Sequence, residues 1–435
     1  MQATVTAMLN IDGNCSSVTV PTSISSIYAI RTFRDTSKNS DFCVFYEKTS
    51  RQAFTSTKRE YQKGWGIFVV PKTFRQVSRF IHLSAPHPKW DSGTPQQAAY
   101  LFANSGAKSL LVDGRHRWAI TAPSACISVG NHSKTDPTHD NNEVFHSASQ
   151  VIHNWQINAP NTCPVTGGCA FIQIHGKASN TCSGSGGTIN SRIFVSCCSQ
   201  PSLTCQHNHL HHYPLTFKHK NKSNGLAGSS TLYRTYSTSP ANRLAYHLSQ
   251  AFGAGSGGVN MPINDTVCDL AASTNVFGRI VNGVLNSPAN HECTTAATDA
   301  SALNKNRFVH AEQSPDMRAL SPDSCLSTGC AGASRNINTN WPAWNTALKK
   351  AFAATCVGGV PADPSSLLVG NMIFFQHSGS KFMRAVLHKS YQSRDRAQKK
   401  DREITARKSY PLTPFDELTG IEDLGVSSER GPGWN

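Results

Sequence analysis

Short apolar blocks set off by polar connectors run through most of the chain. Residues 26–33 (Ser-Ile-Tyr-Ala-Ile-Arg-Thr-Phe), 42–47 (Phe-Cys-Val-Phe-Tyr-Glu) and 65–70 (Trp-Gly-Ile-Phe-Val-Val) read as strands of a small β-rich N-terminal module, residues 1–79. A further strand, 80–85, leads on from it. Ala98, Ala99, Leu101 and Phe102 then recur at helical spacing over 94–105 behind Thr94 as N-cap, and Ser109-Leu-Leu-Val112 reads as the next strand. A strand at 170–174, a helix at 239–252 and a strand at 307–311 continue the alternation. Such alternation predicts an α/β fold in three layers, a mainly parallel or mixed sheet with helices on both faces. Ligands of such sheets bind outside the carboxyl ends of the strands, where His87, Arg115, His116, His175 and Glu312 fall.

Two regions carry no sustained period. Residues 183–230 run from a Gly/Ser stretch through Cys197, Cys198 and Cys205 into His207, His209, His211, His212 and His219. They read as an irregular insertion whose composition matches neither flank, with a His/Cys metal tract or a defective gene model as the alternatives. Residues 361–435 form a charged, polar tail, expected to be partly disordered. The α/β domain is thus expected over 80–360, interrupted by the insertion.

The net charge of +15, from 41 Lys and Arg against 26 Asp and Glu, raises the question of a nucleic-acid partner. Its distribution argues against one. Residues 1–79 carry +6, 381–435 carry +3, and 80–380 hold 19 basic against 13 acidic residues, of which 183–230 supplies four unopposed cations. That leaves the presumed core near +2, with no basic stripe to meet a phosphate backbone. Fourteen Cys, many beside Pro, Gly, Ser or Thr and none in zinc-ribbon spacing, favour disulfides, an oxidising compartment and an extracellular protein. Met1-Gln-Ala-Thr-Val-Thr-Ala-Met-Leu has neither the basic nor the apolar region of a signal peptide. No run of about 18 apolar residues predicts a membrane span.

The chemistry concentrates in Ser84-Ala-Pro-His-Pro-Lys-Trp-Asp91-Ser-Gly-Thr94 and Phe171-Ile-Gln-Ile-His175-Gly176. A hydrolytic zinc ion wants three N/O ligands and an open position. His87 and Asp91 on one strand exit can supply two, and His175 at another strand end the third, with Gly176 leaving room beside it. In Arg307-Phe-Val-His310-Ala-Glu312, strand alternation sets His310 and Glu312 on one side, so Glu312 is a candidate general base and Arg318 a holder of substrate charge. Arg115 and Arg117 are candidates for binding a substrate carboxylate, and His116 or His139 is an alternative metal ligand to Asp91.

In order, "strand, His, acid, Gly-Thr, helix" (His87, Asp91, Gly93-Thr94), "strand, His-Gly" (His175-Gly176), an Asn-rich stretch (Asn275 to Asn282, with Arg279) and "strand, Glu, Arg" (Glu312, Arg318) resemble the zinc carboxypeptidase-like amidohydrolases. Poly-γ-glutamate hydrolases and N-formylglutamate amidohydrolases belong to that group. The resemblance covers roughly residues 80–320. It implies one zinc ion on His87, Asp91 and His175, Glu312 as the base that activates water, Arg279 or Arg318 against a developing negative charge, and Asn275 and Asn282 as substrate contacts. Related enzymes usually carry Glu as the acidic ligand at a different spacing, whereas this chain has His-x-x-x-Asp. The expected activity is cleavage of an amide or peptide bond in a small-molecule or peptide substrate; a secreted binding or structural protein on the same fold is the alternative.

Overall fold

The computed structural model describes residues 1–48, 63–128, 130–158, 169–178, 181, 191–197, 239–255, 257–262, 270, 272–284, 291–297, 307–318 and 338–354. Most of 183–230 and all of 361–435 lie outside the described residues. The molecule is an α/β protein whose mixed sheet has nine strands among the described residues. Its strands are β1 (Tyr28–Asp35), β2 (Ser40–Glu47), β3 (Ile67–Pro71), β4 (Arg79–Ala85), β5 (Ala107–Val112), β6 (Cys169–Gly176), β7 (Ile193–Ser196), β8 (Val259–Asn260) and β9 (Phe308–Gln313), in the spatial order β1-β2-β3-β5-β4-β6-β9-β7-β8. The centre, β5-β4-β6-β9, is parallel. The strands of the N-terminal module pair antiparallel, and β3 pairs with β5, so they extend the same sheet.

The described helices are α1 (Gln2–Leu9), α2 (Thr22–Ser25), α3 (Thr94–Ser105), α4 (Val144–Asn158), α5 (Pro240–Phe252), α6 (Val276–Val281), α7 (His291–Thr294), α8 (Pro315–Arg318) and α9 (Asn340–Ala351). Strand alternation sorts the core into two layers. Ile81, Leu83, Ala85, Ile172, Ile174, Val309 and Ala311 pack with apolar residues of α3, α5 and α9. Phe45, Phe68, Phe171 and Phe308 pack on the other face with residues of α1, α4 and α6. Helices α3, α5 and α9 on one face and α1, α4 and α6 on the other thus bury apolar residues against the sheet, giving the three layers that the alternating pattern predicts.

One segment differs from its sequence reading. Residues 193–196, within the stretch expected to be irregular, form β7 between β9 and β8, and Ile193, Phe194 and Val195 are fully buried. A four-residue apolar run is too short to show a period, and only its pairing on both sides reveals it as a core strand.

The chain path also fixes where a ligand can sit. From β4 it passes through α3 to β5 on one side of β4, and after α4 returns to β6 on the other side. The direction of winding therefore switches at β4, and such a switch opens a crevice beyond the strand's carboxyl end. Residues 86–93 leave β4 at that point.

Candidate metal centre

The turn after β4 is closed by Asp91 N–H donating to the His87 carbonyl at 2.8 Å, and Thr94 N–H donates to the Asp91 carbonyl at 3.0 Å. Gly93, at φ +90°, supplies the left-handed residue that lets α3 start directly afterwards. This turn puts both side chains on one side, with His87 Nδ1 and Asp91 Oδ2 3.2 Å apart. His175 comes from the neighbouring β6, and its Nδ1 lies 3.4 Å from the same Oδ2. All three residues are buried.

Three ligand atoms on one tetrahedral ion with bonds of about 2.0–2.2 Å lie roughly 3.4 Å apart. The separations of 3.2 and 3.4 Å match that figure, and one ligand atom from each residue lies within 4.8 Å of the others. The His87 and His175 rings meet at 75°, so lone pairs in their planes can converge on one point. The donor set therefore fits a metal ion held by two imidazole nitrogens and a carboxylate oxygen.

Behind His87 stands Asp136, whose Oδ1 lies 3.0 Å from His87 Nε2. A carboxylate on the far nitrogen fixes the tautomer and ring orientation of a metal-binding His. Asp136 has no exposed surface and also meets Arg117, His139 Nδ1 at 3.1 Å and the Thr138 hydroxyl, which donates at 2.7 Å. Burial and Arg117 disfavour charge on His87, but Asp136 and Asp91 outweigh them and push its pKa up to about 9. The same surroundings give a different picture of the alternative ligand His139. Its ring lies flat on His132 at 3.4 Å with 6° between the planes. In-plane lone pairs of parallel rings do not converge, so His132, Asp136 and His139, although close together, are poorly arranged to share an ion.

Strand β9 completes the cluster. His175 is register partner to Glu312, and Gln173 to His310, so all four face one side of adjacent parallel strands. The His175 and His310 rings are 4.3 Å apart, and His310 Nε2 lies 3.5 Å from Glu312 Oε1. Glu312 Oε2 and His310 Nδ1 are buried without a hydrogen-bond partner, the condition of groups awaiting a ligand or water. Burial, then the Asp91 charge, push the Glu312 carboxyl up to about 8. Such a group can both take and return a proton near neutral pH. The room left by Gly176 is filled by Arg318: a β-carbon at Gly176 would run into the guanidinium. Arg318 donates to the carbonyls of Gln313 (3.2 Å) and Ser92, and so bridges β9 to the ligand turn.

The remaining candidates have other contacts. Arg279 donates to the carbonyls of Ser273, Glu292 and Cys293, tying α6 to α7. Asn275 caps α6 by accepting from Gly278 N–H at 2.9 Å, and its amide donates to Gln173 Oε1 at 2.7 Å. The Asn282 amide donates to the Cys197 carbonyl. The resemblance gave these residues substrate roles; here the Arg279 guanidinium and the Asn275 amide tie the framework together, whereas Asn282 Oδ1 is buried without a hydrogen-bond partner. Arg115 pairs with Glu143 at 3.0 Å, Arg117 with Asp136, and His116 packs against Trp90 and Trp118. Asp136 escaped the sequence reading because it lies in a loop without periodicity; its one signal is Asp-Pro-Thr, a turn in which Thr138 N–H donates back to Oδ1 at 3.1 Å.

Disulfides join Cys15 to Cys43 and Cys126 to Cys293, as an oxidising environment allows. Among the described residues no helix is long and apolar enough to cross a membrane. No known family profile matches the chain, and no curated protein is similar to it.

Proposed function

We propose that this chain is an extracellular zinc-dependent hydrolase that cleaves an amide or peptide bond in a carboxylate-bearing substrate, as its resemblance to the zinc carboxypeptidase-like amidohydrolases implies. The observation that carries the proposal is the meeting of His87, Asp91 and His175 beside a partnerless Glu312 carboxyl oxygen at the β4 switch point. A zinc ion there would supply a Lewis acid for the scissile carbonyl and lower the pKa of a water. Glu312 takes the proton of the attacking water and passes it to the leaving amine. Its raised pKa suits both steps. Arg318, fixed between Ser92 and Gln313, offers positive charge to the oxyanion or to a substrate carboxylate. Asp136 holds His87 in position throughout.

Metal analysis of the purified protein and of His87→Ala and His175→Ala tests the centre. One zinc per chain is expected in the native protein and none in either variant; stoichiometric zinc in both would refute the site as described. Glu312→Gln is expected to keep zinc and lower kcat about 10²- to 10⁴-fold on an amide substrate. Unchanged turnover would remove Glu312 from the chemistry. Zinc binding without hydrolysis of any amide would leave a binding protein.

A further inference from the structure

Trp90, Trp118 and Ile120 are the large apolar side chains exposed among the described residues, at 46%, 45% and 46%. All three belong to the two loops that build the metal centre. Trp90 precedes the ligand Asp91 inside the turn closed onto His87, so its backbone is fixed by the same hydrogen bond. Trp118 follows Arg117, which holds Asp136 behind His87. The two indoles meet at 4.3 Å with a 50° tilt, and His116 approaches them edge-on at 5.6 and 6.2 Å. Its Nδ1 accepts from Trp118 N–H at 3.2 Å, which ties the ring to the platform.

Exposed aromatic rings on the same loops as His87, Asp91 and Asp136 supply the apolar surface that a small-molecule site combines with a few polar groups. Half-exposed indoles leave apolar surface in water that a ligand could cover. The occupant can be narrowed by charge and shape. Lys89, next to Trp90, lies close enough to oppose charge on His116 and disfavours a cation stacked on the indoles, while Arg117 is paired with Asp136. Tilted indoles present both a face and an edge to a third ring, the arrangement aromatic groups prefer. We infer that Trp90, Trp118 and His116 form a subsite for an aromatic side chain adjoining the bond to be cleaved, and so set the specificity of the centre for aromatic amides. This deepens the hydrolase reading and rests on it for the position of the reacting bond.

The test uses the zinc-loaded full chain. Dissociation constants for N-acetyl-L-phenylalaninamide, N-acetyl-L-alaninamide and N-acetylglucosamine are measured by ligand-observed NMR, with zinc content and hydrolysis recorded separately. The phenylalanine amide is expected to bind about tenfold tighter than the alanine amide, and that preference is expected to fall to near unity in Trp118→Ala and in Trp90→Ala. Trp90→Phe, which keeps a ring in the ligand turn, is expected to retain most of it. Equal affinity for the two amides, a preference that survives both alanine variants, or selective binding of the sugar would overturn the subsite. So would a native dimer that Trp118→Ala disperses in sedimentation, since the patch would then be a subunit interface. Aromatic preference without hydrolysis would sink the enzyme reading alone, whereas hydrolysis without preference would sink the subsite alone.

Discussion

Asp136, with no exposed surface, receives the imidazole nitrogen of His87, the guanidinium of Arg117 and the ring of His139. Burial opposes its charge, but His87 and His139 together hold its carboxyl well below the usual range. A full negative charge therefore stands behind His87, one of the proposed metal ligands, where it raises the basicity of the imidazole and fixes which nitrogen faces Asp91. Asp136→Asn keeps the shape and removes the charge. Zinc affinity, measured by competition with a chelator, is expected to fall 10- to 100-fold with the fold retained. An unchanged affinity would reduce Asp136 to a loop anchor. At this scale the sequence was informative where strand alternation acts: His175 shares a face with Phe171, and Glu312 with His310, as the period of two requires. It was silent on Asp136, and it did not foresee that Asn275 caps α6, because a cap and a substrate contact call for the same residue type.

Among the elements, α3 spans Thr94–Ser105 as its spacing predicts, but Gly93 and not Thr94 is its N-cap, Thr94 being the first helical residue and making no capping hydrogen bond; α5 runs over Pro240–Phe252 within the predicted 239–252. Both have local causes, a stripe of apolar residues and a terminating glycine, Gly106 or Gly253. The stretch between β5 and α4 has no such cause. It holds Arg117, Asp136 and His139 through contacts distant in sequence: Val276 N–H donates to the Thr138 carbonyl at 3.0 Å, and Cys126 is bonded to Cys293 across 167 residues. Long-range ties of this kind leave no periodic trace. Replacing Cys126 and Cys293 together by Ser frees a long loop in the unfolded chain and is expected to cost about 2–5 kcal/mol. Because the same bond pins the segment carrying Asp136, zinc affinity is expected to weaken with it. Thermal unfolding and chelator competition on the double variant check both, and an unchanged Tm would show that packing alone holds the loop.

Across the whole molecule the two ends of the parallel strands differ in chemistry. The carboxyl ends gather His87, Asp91, His175 and Glu312, whereas the amino ends bury Arg79 in β4 and Lys108 in β5. Arg79 is matched by the carbonyls of Phe352 and Ser105, at 2.6 and 2.7 Å. Lys108 instead has its ammonium over the rings of Phe74 at 3.9 Å and Trp155 at 5.2 Å. Burial lowers its pKa from 10.5 to about 7, against a smaller opposing pull from Asp12. Below about pH 7 the amine is charged in both folded and unfolded chains, and the burial penalty is paid in full. Between about 7 and 10.5 the folded chain has lost a proton that the unfolded chain still binds, so this group makes stability rise with pH, by at most about 1.4 kcal/mol per unit. Lys108→Met removes the titration while keeping an unbranched apolar side chain. Lys38, also lowered by burial to about 8, titrates in the same window, so the informative quantity is the difference between variant and native protein. Urea unfolding at pH 7, 8 and 9 is expected to find the variant gaining most over the native chain at pH 7 and progressively less as pH rises. A difference independent of pH would mean that Lys108 keeps its charge in the folded sheet, with the rings of Phe74 and Trp155 replacing the lost water.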